Sequence, residues 1–340
     1  MPIQSLHTHT TNSDGKLSYK EMFELTESLD ISVVAFTDHD AVLTDEGLEY
    51  LENVRDSKTK WISGIEISSA PPKEITEAGM GKGGLHIIGL FVDPKNEALK
   101  EHCKKAQAAR IVRMQKIVSN LKDLGFTITE EDCLKASGGE TVGRPHIVQA
   151  LESHPENKKV MDSLREEMRE DARRSENIHV AYEEMMENGE YQYPYALFLS
   201  HTAYRPAYVD VTYAPDLDET AKLIRDAGGV AFIAHYFTAK KKMPLSFIEK
   251  LLSEKRIDGL ETIYGLWHVG KADEQELETQ KDDIKKLLLK YSALQSGGPD
   301  AHHEEDMRLY AENNVFSGPS QGMAENIIAS GKVSTKNSSF

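Results

Sequence analysis

The 340-residue chain carries 40 Lys+Arg against 56 Asp+Glu, a formal net charge of −16, with 39 % hydrophobic and 28 % charged residues. That is a globular balance, at a length that allows a large core. The acidic excess argues against broad binding to a nucleic-acid backbone, which rests on Lys and Arg neutralising phosphates, and leaves room for a local basic pocket. No apolar run approaches the roughly 18 residues of a membrane span, and the first residues lack the charged and apolar stretches of a secretion signal. Cys103 and Cys133 alone make neither a disulfide framework nor a cysteine zinc site. A soluble, cytoplasmic protein is expected.

In chain order, a short strand ends near His7–His9. Ser18-x-x-Glu21 then reads as a capping box opening a helix with Met22, Leu25 and Leu29 on one face. Apolar, β-branched runs predict strands at Ile31–Phe36, Trp61–Ile67 and Leu85–Val92. From about 96 to 205 the strand signal vanishes. Ala98–Leu124 reads as one long helix stopped by Gly125, and Lys158–Asn188 as a second, very charged one. The rhythm resumes with strands at Ala207–Val211, Val230–Ala234, Gly259–Tyr264 and about Ala293–Ser296, and a helix over Leu217–Ala227 closed by Gly228-Gly229. About eight strands alternating with helices make an α/β protein. The expected organisation is a discontinuous domain, 1–95 and 206–330, an inserted helical cap over 96–205, and a frayed polar tail over 331–340.

The chemistry is carried by where histidines and carboxylates fall. In extended backbone residues i and i+2 share a side, so His7 and His9 can reach one metal. Asp14 follows in Ser-Asp-Gly. The strand Ile31–Phe36 runs into Thr37-Asp38-His39-Asp40, at the end where barrel enzymes place their chemistry. Glu66 interrupts the apolar run Ile65–Ile67, where a carboxylate needs a partner, and His86 lies in the otherwise apolar Leu85–Leu90. His235 ends another strand. Gly297-Gly298-Pro299-Asp300-Ala301-His302 repeats the i, i+2 pairing, with glycines that permit close backbone approach. His86 alone is more often a hydrogen-bonded core residue, Glu66 alone is as readily half of a buried ion pair, and His-x-His is weak by itself. Together the six histidines and three carboxylates exceed what one tetrahedral zinc uses, so two or three divalent ions are implied. Mn²⁺, Fe²⁺ and Zn²⁺ all suit mixed His/carboxylate ligation. Such clusters suit hydrolysis, with phosphate esters as natural substrates.

In order and spacing, His7-Thr-His9, Ser13-Asp14-Gly15, Thr37-Asp38-His39-Asp40, Gly64-Ile-Glu66, His86, Gly228-Gly229-Val-Ala-Phe-Ile-Ala-His235 and Gly-Gly-Pro-Asp300-Ala-His302 resemble the PHP (polymerase and histidinol phosphatase) superfamily. The resemblance spans about 1–95 and 205–305 and implies a distorted (β/α)7 barrel with the helical insertion added to it. It implies one metal on His7, His9, Glu66 and Asp300, and a second sharing Glu66 with His86 and His235. A third would take Asp14, His39 and His302. Gly143-Arg144-Pro145-His146-Ile147 and the preceding helix, with Arg110 and Arg113, resemble the stand-alone PHP phosphoesterases that act on nucleotides. Arg144 is then the expected phosphate clamp, since guanidinium binds phosphate through a planar fork; the bland alternative is a helix cap at Pro145. His146 and Arg205 join Arg144 as expected substrate-binding residues. Asp14, His39 and His268, the last in Tyr264-Gly-Leu-Trp-His268, are the expected catalytic residues. His102, His154, His179 and His303 read as solvated helix residues. The chain departs from the family pattern at Ser5, where Asp is usual, and at Tyr236 and Pro299.

These readings converge on a phosphomonoesterase for a small nucleotide, a 3′,5′-bisphosphonucleoside or a nucleoside monophosphate, acting by attack of a metal-bridging hydroxide. The expected partner is thus a small phosphorylated substrate, with no long nucleic acid and no membrane. Histidinol-phosphate hydrolysis, 5′-to-3′ trimming of short RNA and a non-catalytic metal-binding module are the alternatives. An editing nuclease serving a polymerase fits poorly with the acidic charge, and amide hydrolysis is the weakest reading.

Overall fold

The computed structural model describes residues 3–77, 84–138, 141–210, 212–236, 243–263, 274–312 and 322–340. Among them are seven strands: β1 (Gln4–Thr8), β2 (Val33–Phe36), β3 (Lys60–Ser69), β4 (Leu85–Leu90), β5 (Val230–Ile233), β6 (Gly259–Ile263) and β7 (Leu294–Gly297). They form one sheet in sequence order. Every neighbouring pair is parallel except β3–β4 and β4–β5, so β4 alone runs backwards. Beyond β7, Ala301 bridges to Thr8 and its carbonyl accepts the His9 N–H at 2.9 Å, which returns the sheet to β1. This is the expected α/β barrel, distorted by its single reversed strand.

The helices are α1 (Tyr19–Ser28), α2 (Asp45–Asn53), α3 (Lys73–Glu77), α4 (Glu97–Asp123), α5 (Glu130–Ser137), α6 (Arg144–Glu152), α7 (Asn157–Ala172), α8 (Glu176–Asn188), α9 (Tyr193–Leu197), α10 (Leu217–Asp226), α11 (Leu245–Ser253), α12 (Glu274–Tyr291), α13 (Glu304–Glu312) and α14 (Met323–Ala329). None is long and apolar enough to cross a membrane. The Ser18–Glu21 capping box opens α1 as expected, and Thr129–Asp132 and Asp216–Glu219 do the same at α5 and α10. α10 ends at Gly228, whose φ of +83° is the left-handed turn predicted there.

The chain divides into two compact units, Met1–Ala106 with Ala214–Phe340, and Gln107–Tyr213. In the first, alternation along each strand separates two environments. Leu6, Val33, Ala35, Ile62, Ile88, Phe232 and Ile263 share one core. Their neighbours face the helices: Val34, Phe36 and Trp61 meet Met22 and Phe23 of α1, and Ile65, Ile87, Ile233 and Leu260 meet α10 and α11. The second unit has its own core, built from α4 to α9 around Met114, Leu121, Leu151, Leu197 and Phe198.

Four sequence expectations are corrected. Residues 207–210 form no strand: the Ala207 N–H donates to Phe198 O and its carbonyl accepts Asn120 Nδ2, so this stretch belongs to the helical unit. The return to the sheet comes at Pro215, whose carbonyl accepts the Ala70 N–H. The helical unit starts at 107 and not 96, because Leu99 and Cys103 on the first turns of α4 pack into the core of the first unit. Lys158–Asn188 is two helices, broken where Ser175 adopts extended backbone (φ −139°, ψ 117°). The tail is not frayed. Ser339 exchanges two hydrogen bonds with Trp61, Phe340 packs against the sheet core, and Lys332 pairs with Asp258 at 2.8 Å. Its polar composition hid this, since those bonds run largely through backbone.

Candidate metal centre

The parallel strands end at one mouth of the barrel, and reversed β4 begins there. His7 is the penultimate residue of β1 and His9 follows the strand. The loop after them folds back: Thr10 N, Thr10 Oγ1 and Ser13 Oγ donate to the buried Asp38 carboxylate at 2.7, 2.8 and 2.7 Å. This holds Asp14 toward the residue after Asp38, which is His39. Gly15 is required in that loop, because a Cβ there would lie 2.4 Å from His9 O. Gly298 is likewise required, as its Cβ would lie 2.5 Å from His7 N, the close approach its sequence position suggested.

Glu66 projects from mid-β3 and is fully buried. His86 sits one residue into β4, opposite Ser68, so the strand reversal brings it to the same mouth. His235, Asp300 and His302 follow β5 and β7. Three residues here adopt positive φ without being glycine: Asp40 (47°), His235 (30°) and Asp300 (54°). Such strain persists where surrounding contacts over-determine the backbone, and it is concentrated at functional sites.

All nine ligand candidates converge. Glu66 Oε2 lies 3.2 Å from His7 Nε2 and 3.1 Å from both His9 Nε2 and His39 Nδ1. Its other oxygen, Oε1, lies 2.9 Å from His86 Nδ1 and 3.2 Å from His235 Nε2. Asp300 Oδ1 is 3.3 Å from His7 Nε2 and 3.1 Å from His9 Nε2, and Asp14 Oδ1 is 3.3 Å from His302 Nε2. Ring nitrogens also face each other, His7 and His9 at 3.1 Å and His86 and His235 at 3.2 Å. One proton satisfies at most one such pair, whereas a divalent cation between the atoms satisfies nitrogens and carboxylates together. Three overlapping groups could hold an ion: His7, His9, Glu66 and Asp300; His9, Asp14, His39 and His302; and His39, Glu66 and His86.

The electrostatics fit that use. Burial pushes the Glu66 carboxyl up, but His39, His86 and His7 outweigh it and hold it well below the usual carboxylate range. Burial likewise opposes ionisation of Asp300 and Asp14, and facing imidazoles again win: His7, His9 and His302 at Asp300, His302 and His39 at Asp14. The three carboxylates therefore remain anionic. Burial pushes His39 down to about 3, against the pull of Glu66 and Asp14. His302 is lowered by burial yet raised further by Asp14 and Asp300, to about 10.

The other expected site residues are scattered. His268 lies outside the described residues. Arg144 begins α6 in the helical unit, its guanidinium 5.4 Å from the Tyr195 ring and 5.7 Å from Tyr208. Arg113 lies 4.8 Å from the same Tyr208 ring; burial foremost, with Arg144 and Arg110 nearby, brings it down to about 10. His146 is buried and its Nδ1 accepts the Gly143 N–H at 3.0 Å, so it caps α6. Arg205 is half exposed beside Glu167, in a groove lined by Glu166, Glu170 and Asp171, surroundings that oppose a phosphate. His102, read as solvated, is buried 3.6 Å from Asp40.

Sequence reasoning passed over two supporting carboxylates. Asp38 organises the Asp14 loop, as described. Glu261, fully buried on β6, lies 3.0 Å from His7 Nδ1. Its signal was the one that exposed Glu66, a carboxylate within an apolar strand.

The chain is 22 % identical over 307 residues to a 3′,5′-nucleoside bisphosphate phosphatase of Chromobacterium violaceum, covering 89 % of this chain and 91 % of that protein. It is 26 % identical over 149 residues to the 5′-3′ exoribonuclease Rnm of Salmonella typhimurium, covering 44 % of this chain and 48 % of the enzyme. Among solved structures, a Bifidobacterium adolescentis protein inferred to be a metal-dependent phosphoesterase superposes with a TM-score of 0.61 at 21 % identity, covering 88 % of this chain and 87 % of that one. A Chromobacterium violaceum protein described as an amidohydrolase, with bound sulfate, gives 0.59 at 22 %, with the same coverage. The PHP domain family matches residues 5–313, and the chain belongs to that family.

Proposed function

We propose that this PHP-family metal-dependent phosphoesterase removes a phosphate from a small nucleotide, a 3′,5′-bisphosphonucleoside or a nucleoside monophosphate. The observation that carries the reading is Glu66, whose two oxygens face two separate sets of ring nitrogens, the disposition of a carboxylate shared by neighbouring cations. His7, His9, Glu66 and Asp300 would hold one divalent ion, and Glu66, His86 and His235 a second. Asp14, His39 and His302 would hold a third. Bound there, divalent ions supply Lewis acidity, acidifying water and neutralising phosphate oxygens.

The protein's own groups do the rest. The three carboxylates stay ionised and the strained backbones at His235 and Asp300 fix where their side chains point. Asp38 braces the loop that carries Asp14. Arg144 binds a phosphate through its planar fork, held in orientation by the rings of Tyr195 and Tyr208. Neither His146, which caps a helix, nor Arg205, which lies among carboxylates, is retained in that role. The nucleotide preference is supported by the full-length likeness to the bisphosphate phosphatase; the exoribonuclease match covers half as much chain.

Phosphate release by Mn²⁺-loaded protein tests this on 3′,5′-bisphosphoadenosine, AMP, 3′-AMP, a short 5′-phosphorylated RNA and histidinol phosphate. Chelator-sensitive release led by a mononucleotide is expected. Preference for histidinol phosphate or RNA overturns the substrate assignment, and silence with metal bound overturns turnover itself.

A further inference from the structure

Glu261 is fully buried in the middle of β6, where the ladder to β7 is irregular between Glu261 and Ile263. Its carboxylate touches two ligand-bearing residues at once. Oε1 and Oε2 lie 3.0 and 3.2 Å from His7 Nδ1, and Oε2 accepts the backbone N–H of His235 at 2.8 Å. A carboxylate has no proton of its own to give, so the His7 contact requires a proton on Nδ1. That leaves the lone pair of His7 on Nε2, the atom facing His9 Nε2, Glu66 Oε2 and Asp300 Oδ1. The second contact fixes the peptide N–H of His235 at φ +30°, and the same residue's ring reaches Glu66 Oε1. Ser5, two residues before His7, gives its hydroxyl to Met307 Sδ at 3.8 Å and supplies no carboxylate to the imidazole.

We infer that Glu261 is a positioning residue for the metal centre: one carboxylate sets the tautomer of His7 in one ligand group and the backbone of His235 in the neighbouring group. The inference rests on the metal-centre reading above. Ligand imidazoles whose second nitrogen donates to a carboxylate are fixed in ring orientation and made more basic. Loss of such a partner weakens metal affinity by about 10–100-fold. Because Glu261 touches residues of both groups, its removal weakens at least one ion.

The test is Zn²⁺ binding, by competition with a chromophoric chelator, to metal-free wild-type protein and to Glu261→Gln, with thermal unfolding of both in excess chelator. Glu261→Gln should bind at least one ion about 10–100-fold more weakly, while the chelator-treated proteins melt within a few degrees of each other. Wild-type affinity and stoichiometry in the variant overturn the inference and leave the metal centre standing. Wild-type protein that takes up no ion overturns the metal-centre reading, and this inference with it. Equal losses of chelated stability and of affinity assign Glu261 a merely structural role and also overturn it. Should the variant not fold, ¹⁵N-histidine spectra of Zn²⁺-loaded wild type decide: His7 protonated on Nδ1 is expected, and His7 protonated on Nε2 contradicts the assignment.

Discussion

The barrel mouth and the helical unit treat their charged residues in opposite ways. At the mouth, three carboxylates and six imidazoles are drawn from seven different stretches of chain into contact distances of 2.9–3.3 Å, and the carboxylates stay anionic although buried. In the helical unit most charges are spent locally. Arg165–Asp162, Arg169–Glu166 and Arg173–Glu170 are exposed pairs three residues apart on one helix, a kind worth a few tenths of a kcal/mol. Around Arg110, Arg113 and Arg144 that unit brings like charges together in partial burial. Convergence of like or unsatisfied groups, against the cost of burying them, is thus the mark that separates a candidate site from a solvated face.

The largest expected effect comes from disturbing the mouth at its shared atom. Glu66→Gln keeps the side-chain shape and removes the anion facing five ring nitrogens. Since the ions supply several kcal/mol of charge stabilisation, phosphate release should fall about a thousandfold or more. Metal content should fall with it while circular dichroism is unchanged. A variant with wild-type turnover would break the contrast between the two regions.

An intermediate effect is expected in the helical unit. Arg144→Ala should lower kcat/KM for the nucleotide by about 10–100-fold, the worth of a hydrogen bond to a charged group, with metal content intact. Arg144→Lys should recover little, because an ammonium lacks the planar fork. Steady-state kinetics beside metal analysis separates this from the Glu66 phenotype.

Much of the first region was legible in sequence, for a physical reason. Strand alternation puts His7 and His9 on one side, and a lone Glu66 within an apolar run has few other uses, so one-dimensional spacing already encodes the convergence. What escaped was whatever depends on the third dimension. His86 is among the expected ligands, but the reversal of β4 that brings it, at the strand's start, to the mouth is not visible in the sequence. His102 looked like a polar position on a charged helix, yet the first turns of α4 pack against the sheet and bury it. The same holds for Arg205, an expected substrate-binding residue whose neighbours are carboxylates. Helical spacing specifies a face, and it does not say what that face meets.

The smallest expected effect lies at the far end of the barrel from the ligands, where the C-terminal residues were misread as frayed. Asp258 accepts from Ala231 N and pairs with Arg225 and Lys332. Burial pushes its carboxyl up, but Lys332, the Ala231 N–H and Arg225 outweigh this and lower it. A lowered folded-state pKa contributes stability that is full above the ordinary carboxylate range near 4 and is lost as the pH falls through the folded value. Asp258→Asn should therefore cost about 1 kcal/mol at neutral pH, discounted for the solvent exposure of Lys332 and Arg225. Denaturant titrations should show the gap between variant and wild type closing below about pH 4.

Anomalous diffraction from Mn²⁺-loaded crystals tests the central claim most directly, because it locates each ion independently of any substrate. Separate peaks against Glu66 Oε1 and Glu66 Oε2, the first beside His86 and His235 and the second beside His7, His9 and Asp300, are the predicted result. A single peak confined to one oxygen, or none with Mn²⁺ in excess, would contradict the claim that Glu66 joins two ion sites.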